Sequence, residues 1–274
     1  MRNPKLKVVS YSLFGSNPLF IIGAKENAKL VKKYYHGWQA WFYVSNKIEK
    51  SVIYDLKKEG AHVIIKESKT DSMEGLIWRF LAISDLNVDL MIVRDCDSRI
   101  TNREAMAVNQ WLDSHKTFHI MKDHPFHRML IMGGMWGCRK PLNFDIKELV
   151  DEFVIKNYPK KDFVYGWDQN FLAKEIYPKI KNDVFIHDEF FSENKFPINR
   201  IGIDFIGSRK TGKNKILKIK NHFQLTKAIL KINYKKKSIK TAYSLLIFLT
   251  TGFFYLLKKV KFKNSIKRYI NRVF

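Results

Sequence analysis

The stretch LMIVRDCDSRIT, residues 90–101, runs an apolar segment into two carboxylates one residue apart, Asp95 and Asp97, boxed between Arg94 and Arg99. The run DLMIVRD is nearly all apolar before its charges, the pattern of a strand buried on both faces in the middle of a sheet. The acidic pair therefore falls at the carboxyl end of a central strand. In open α/β sheets ligands bind outside those ends. Side chains alternate in extended backbone, which puts Asp95 and Asp97 on one side and Cys96 on the other. Two carboxylates on one side suit a hard divalent cation, Mg2+ or Mn2+, which takes oxygen ligands and keeps positions open for a diphosphate. The same tripeptide also describes an acidic turn whose Arg94 and Arg99 form surface ion pairs.

Working outward, the segments alternate between strand and helix periods. Upstream, KVVSYSLFG predicts a first strand ending in a loop at Gly15. A helix over ENAKLVKKYY, a strand over WQAWFYV, a helix over IEKSVIYDLKKEG stopped by Gly60, a strand over AHVIIKE and a helix over MEGLIWRFLAI follow. Downstream come a capped helix TNREAMAVNQWLDSH, the strand FHIMKD, the segment MLIMGGMWGCRKP, helical stretches around FDIKELVDEFVIKN and WDQNFLAKEIY, and a last short strand DVFIH. The expected fold is α/β with a β-α-β opening, in one domain over residues 1–207. No internal repeat is visible, and no Pro-, Gly- or Ser-rich linker precedes about residue 207.

Composition agrees. The 274 residues are 46% apolar and 14% aromatic, ample for a sizeable core and unlike a disordered chain. The formal charge of +24 would suggest nucleic acid were it spread over the chain. Instead, residues 209–274 hold 19 Lys and Arg and no Asp or Glu, leaving 31 basic against 26 acidic residues elsewhere. Cys96 and Cys138 have no framework spacing, which implies free thiols in a reducing compartment. The N-terminal apolar run is too short for a secretory segment, so a cytoplasmic chain is expected.

Two enzyme readings fit the acidic loop locally. An apolar strand followed by D-x-D-x-x-x-T looks like the nucleophile loop of haloacid dehalogenase-type phosphohydrolases, in which Asp95 would attack phosphate. That loop normally follows a domain's first strand, whereas three predicted strands precede this one, and DVFIHDE only partly supplies the later Lys and acidic pair. RDCDSR, preceded by GLIWRFLAI and followed by KDHPFH, MGGMWG and YGWDQNFL, resembles nucleotide-sugar-dependent glycosyltransferases of the GT-A fold. The similarity is to a group associated with bacterial surface polysaccharides and large-virus glycans. SYSLFG, GAKENAKLVKKYYHGWQAWFYV, IHDEFF and KFPINRIGIDFIG also resemble that group, so the likeness covers about residues 7–208.

The resemblance implies a GT-A (Rossmann-like) mixed central sheet flanked by helices, and it implies roles. Asp97 would be the direct metal ligand. Asp95 would touch the ribose or donor sugar and share the metal, and His187, at the end of the last strand, would be a further ligand. A histidine simply satisfied at a strand end reads equally well there. Ser12, Leu13 and Gly15 lie where the fold meets the nucleotide, although Gly15 also reads as a turn residue. Arg79, inside an apolar run, would reach the crevice to pair with phosphate or the acidic loop, or else snorkel to solvent. Arg94 and Arg99 join the donor-binding set. Gly133 and Gly134 would let the sugar lie against backbone, with Trp136 as a stacking or packing face.

Asp168 stands at the start of a helix, where a carboxylate is a good N-cap, but the resemblance puts it beside donor sugar and acceptor. If the reaction inverts the anomeric centre, Asp168 is the first candidate for the base and Asp123 the second. If it retains configuration, Asp168 would hold donor hydroxyls. His124 and His127 read either as acceptor contacts or as a polar loop. The implied partners are a UDP-linked or other nucleotide-sugar donor and a glycan or lipid-linked acceptor in lipopolysaccharide, capsule or related synthesis.

From residue 208 the chain becomes Lys-rich around AYSLLIFLTTGFFYLL, a 16-residue apolar run. A perpendicular span needs roughly 20 apolar residues, so an interfacial helix or shallow hairpin on an anionic membrane surface is expected, peripheral at the cytoplasmic face. A helix packed on the catalytic domain is the alternative, and no nucleic-acid partner is expected. The rival from another class is a non-catalytic basic membrane or nucleic-acid adaptor.

Overall fold

The computed structural model describes residues 5–67, 73–157, 165–192, 194–200, 204–210 and 225. All its elements belong to a unit of residues 1–225; a second unit, residues 226–274, lies outside the described residues, and the apolar run of the basic tail lies there with it.

Seven strands form one mixed sheet: β1 (Leu6–Leu13), β2 (Gln39–Ser45), β3 (His62–Lys66), β4 (Val88–Val93), β5 (Phe118–Lys122), β6 (Trp136–Arg139) and β7 (Val184–Asp188). Their order is β3-β2-β1-β4-β6-β5-β7. β1 is parallel to β2 and β4, β2 to β3, and β5 to β7, whereas β6 runs antiparallel to both β4 and β5. The chain therefore winds outward from β1 to β3, then returns to the other side of β1 to lay down β4. That reversal opens a crevice beyond the carboxyl ends of β1 and β4, where ligands settle in open α/β sheets.

The strand period assigns each face. Val9, Tyr11 and Leu13 of β1 and Leu90 and Ile92 of β4 pack under α1 (Pro18–Tyr34), α2 (Lys50–Lys58) and α4 (Asn102–Leu112). Val8, Met91 and Val93 point the other way, against α3 (Gly75–Trp78), α5 (Ile146–Asn157) and α6 (Trp167–Phe171). Both faces are covered, as the near-continuous apolar run of β4 demands.

Three helical expectations change in detail. α1 begins at Pro18, two turns before the predicted start, because Asn17 accepts from Leu19 N (3.0 Å) and Pro18 needs no N–H partner in the first turn. MEGLIWRFLAI is not one helix. α3 ends where the Arg79 N–H donates to Ser12 Oγ (3.0 Å), and a 3-10 turn resumes at Leu81–Ser84. WDQNFLAKEIY opens as α6, widens into a π turn over Leu172–Ile176 and closes as α7 (Tyr177–Ile180), whose second residue, Pro178, has no N–H to give the preceding turn.

Candidate active site

Beyond β4 the strand geometry persists for one step, with Arg94 N donating to Ser10 O (3.1 Å), before the chain turns over Cys96–Ser98. Burial still alternates: Asp95, Asp97 and Arg99 are partly open, whereas Cys96, Ser98 and Ile100 are buried. α1 clamps this loop. Asn27, itself buried, donates Nδ2 to Ser98 O (2.9 Å) and accepts from Ile100 N (3.3 Å). Gly23 lies so close that a Cβ there would stand 1.8 Å from Cys96 O. Arg99 pairs with Glu26 and donates to Cys96 O and Ser98 O, so its guanidinium fastens the loop to α1. Cys96 Sγ meets Ser12 O at 3.2 Å, and burial pushes its thiol far above the range of a reactive cysteine.

Above the loop the buried Arg79 guanidinium joins two carboxylates that are distant in sequence. Nη1 donates to Asp95 Oδ1 (2.5 Å) and Nη2 to Asp168 Oδ2 (3.0 Å). The break after α3 turns Arg79 inward, and the same residue's N–H anchors to Ser12, so β1 sets the arginine's position. Gly133 and Gly134 form the adjoining wall. A Cβ on Gly134 would meet Asp95 Oδ2 at 2.1 Å, and one on Gly133 would meet Asp168 Oδ2 at 2.5 Å. Only glycine lets the carboxylates lie against that backbone.

Asp168 does not cap α6. The N-cap is Gly166 at φ 84°, with Asp168 inside the first turn and turned onto Arg79. Burial raises its carboxyl above the ordinary range, the Arg79 charge opposes this, and Asp95 adds to it. Asp97 is pushed up to about 6, by burial first and then by the Asp95 charge beside it.

Several expected site residues stand elsewhere. Arg94 is one step from Asp95 along extended backbone, so it points to the opposite face. There it pairs with buried Glu104 and donates to Val93 O (2.7 Å), which removes it from the donor-binding set. Asp123 is fully buried and saturated: Oδ1 accepts from Arg103 (3.0 Å) and Arg200 (2.6 Å), and Oδ2 from Ile206 N (2.9 Å). A carboxylate so committed has no lone pair for an acceptor proton, which corrects its place as second candidate base. His187 is buried, with Nδ1 2.8 Å from His119 Nε2 and Nε2 3.0 Å from Gln110 Oε1. Both ring nitrogens thus face protein partners, and among the described residues His187 does not gather with Asp95 and Asp97 into a metal-holding group of three, which sets it apart from the expected ligand set.

Leu13 is buried in the core, so only its backbone reaches the crevice, and Gly15 is a left-handed turn residue with φ 72° and open space where a Cβ would be. Trp136 packs edge-on to Phe80 inside the core. His124 and His127 pack around Phe205, and His127 Nδ1 accepts from Asp123 N. Residues that the sequence did not single out hold the site together: Asn27, Glu104, Arg103, Arg200 and Arg209. No spacing rule connects them to their partners, because each pair forms across the fold.

The donor set fits a hard divalent cation. Asp95 and Asp97 offer oxygens only, their side chains are 37% and 20% exposed, and their like charges lie close enough to raise one of them. Among the described residues no three His, Cys, Asp or Glu side chains gather as a metal site. The chain would thus supply two carboxylates, leaving the other positions to phosphate and water, as is usual for Mg2+.

No protein-family model and no curated protein sequence matches the chain. Solved structures similar to it include three transferases. One is a glycosyltransferase involved in the glycosylation of the major capsid of PBCV-1, at 14% identity over 67% of this chain and 82% of that one, TM-score 0.40. Another is the mannosyltransferase PcManGT from Pyrobaculum calidifontis in complex with GDP-Man and Mn2+, at 10% identity over 68% of this chain and 55% of that one, TM-score 0.44. The third is the inositol-1-phosphate CTP transferase from T. maritima, at 11% identity over 67% and 85%, TM-score 0.45. The activities of these proteins differ from one another, and likeness at this level transfers none of them to this chain, whose α/β sheet stands on its own strand order.

Proposed function

We propose that the protein is a metal-dependent glycosyltransferase that moves a sugar from a nucleotide-sugar donor, UDP-linked as the first expectation, to a glycan or lipid-linked acceptor of surface-glycan synthesis. The observation that carries this reading is the Arg79 bridge. It sets Asp95 and Asp168 in one crevice, against a two-glycine wall, at the carboxyl ends of β1 and β4. A sugar nucleotide needs an anchored diphosphate at one end and a carboxylate near the anomeric carbon at the other, and those are the two arms of the bridge.

In this reading Asp95 and Asp97 hold Mn2+ or Mg2+, which when bound neutralises charge on the departing diphosphate. Gly133 and Gly134 leave room for the sugar to lie against backbone. Asp168 is held by Arg79 through Oδ2 and by backbone N–H groups of its own helix turn, which fix the carboxylate facing the crevice. Its raised affinity for protons makes it a stronger base than an ordinary carboxylate, suited to taking the acceptor's hydroxyl proton in an inverting reaction. In a retaining reaction the same position holds donor hydroxyls. The basic tail beyond residue 208 is proposed to bring this site to an anionic membrane at its cytoplasmic face. Among the described residues no helix is long and apolar enough to cross a membrane.

Titration calorimetry with UDP and GDP, with and without Mn2+, tests the reading. Binding is expected to need the cation and to disappear in Asp97→Ala while the thermal melt stays cooperative. Undiminished binding by that variant removes Asp97 from the site. Release of phosphate from an aryl phosphate at ordinary enzymatic rates, lost in Asp95→Asn, would instead establish the phosphohydrolase. Absence of both activities would favour the adaptor.

A further inference from the structure

Residues 204–210 come back to the crevice after the last strand and touch the acidic loop twice. Arg209 Nε lies 3.2 Å from Asp97 Oδ2. The backbone N–H of Lys210 donates to the Asp97 carbonyl at 2.9 Å, and the Lys210 side chain is pinned to Asp204 at 2.7 Å. The Arg209 guanidinium also sits over the ring of Phe20, 5.5 Å from its centroid, near the start of α1.

The two arginines of the site differ in kind. Arg79 is 5% exposed and committed on both arms, to Asp95 and to Asp168. Arg209 is 42% exposed, and its segment is tethered by the Lys210 N–H on the Asp97 carbonyl and the Ile206 N–H on Asp123, independently of its own guanidinium. Arg79 is therefore a fixture, while Arg209 can release its carboxylate and stay beside the loop.

A guanidinium and a divalent cation cannot both lean on one carboxylate oxygen without repelling each other. We infer that Arg209 is an exchangeable counter-ion: it holds Asp97 while no cation is bound, and it transfers to the donor's diphosphate when a divalent cation takes Asp97.

The charges favour that exchange. Asp95, Asp97 and Asp168 face Arg79 and Arg209, which leaves one negative charge in excess, and a divalent cation converts this to one positive charge in excess. A diphosphate is the anion that such a balance attracts. A guanidinium freed from Asp97 presents a planar fork suited to two phosphate oxygens. The Phe20 ring offers it a resting face at either stage. The inference rests on the proposed nucleotide-sugar reading and adds a binding residue to it.

The test uses the full chain and calorimetry, with Mn2+ alone, UDP plus Mn2+ and UMP plus Mn2+ as probes, and GDP and GMP in their place if the wild type prefers guanine. Arg209→Ala is expected to bind Mn2+ alone several-fold more tightly, because its competitor for Asp97 is gone. The same variant should bind UDP with Mn2+ about tenfold more weakly and UMP only slightly more weakly. Arg209→Lys should fall between variant and wild type for UDP. Opposite signs for cation and diphosphate are the diagnostic, since a residue that merely pins the loop would weaken both together or neither. Equal weakening of both probes, or wild-type values for both, overturns the inference while leaving the functional reading intact. A wild-type chain that binds no nucleoside diphosphate with Mn2+ overturns the functional reading and the inference with it.

Discussion

Asp168 and Asp123 are both buried carboxylates near the strand ends, and what separates them is the company each keeps. Asp123 receives two guanidiniums and a backbone N–H, so its charge is spent on holding Arg103, Arg200 and the chain at Ile206. Asp168 receives one guanidinium, that of Arg79, and N–H groups of its own helix turn, and burial makes it more basic. Asp168→Asn keeps the shape and the Arg79 contact but removes the negative charge. It should therefore lower kcat by about a hundredfold or more while nucleotide affinity changes little, as measured by initial rates beside calorimetry. Normal turnover would strip Asp168 of its role. At this scale the sequence told which way each side chain of the acidic loop would face, since period-two alternation sets Asp95 and Asp97 against Cys96. Applied one residue earlier, the same rule sends Arg94 to the other face, where Glu104 waits on α4.

Elements turn such facing rules into contacts. α1 reaches the loop only because Gly23 has no side chain, and β1 sets Arg79 only because Ser12 interrupts the helix that Arg79 would otherwise continue. The strand end at β7 shows the opposite outcome. His187 is satisfied between β5 and α4 through His119 and Gln110, and burial first, then the Arg103 charge, lowers its pKa to about 4, with His119 lowered too, by burial and by His187. A histidine held neutral in the folded state contributes full stability above its unfolded pKa of about 6.5. That contribution is lost as pH falls toward the folded value. Thermal melts at pH 7 and pH 4.5 should show the wild type losing on the order of 2 kcal/mol more than His187→Gln over this interval. Parallel losses would mean that the imidazole is not what acid attacks.

For the whole molecule the question is where the α/β unit ends. A cut after Ser208 would follow the change in composition, yet Arg209 and Lys210 contact Asp97, and Leu225 is buried. Residues 226–274 still carry 13 Lys and Arg with no acidic residue. The full chain should therefore sediment with anionic vesicles and release from them as salt screens the lysines. A chain ending at Leu225 should lose vesicle binding and keep Mn2+-dependent nucleotide binding. Vesicle binding by the shortened chain would move the membrane contact into the α/β unit.

The sequence by itself determined the α/β class, the central place of β4 and the partly open side of Asp95 and Asp97. Those follow from apolar runs and a two-residue period, which are local properties of the chain. It also located the basic charge in the last quarter of the protein, because charge can be counted without a fold. Only the tertiary structure decided that Arg79 joins Asp95 to Asp168, that Asp123 and His187 are already satisfied, and that Arg209 returns to Asp97. Each of those contacts closes a long loop between unrelated segments. A side chain's free lone pairs depend on which distant partners the packed core has brought within about 3 Å, and no local pattern encodes that.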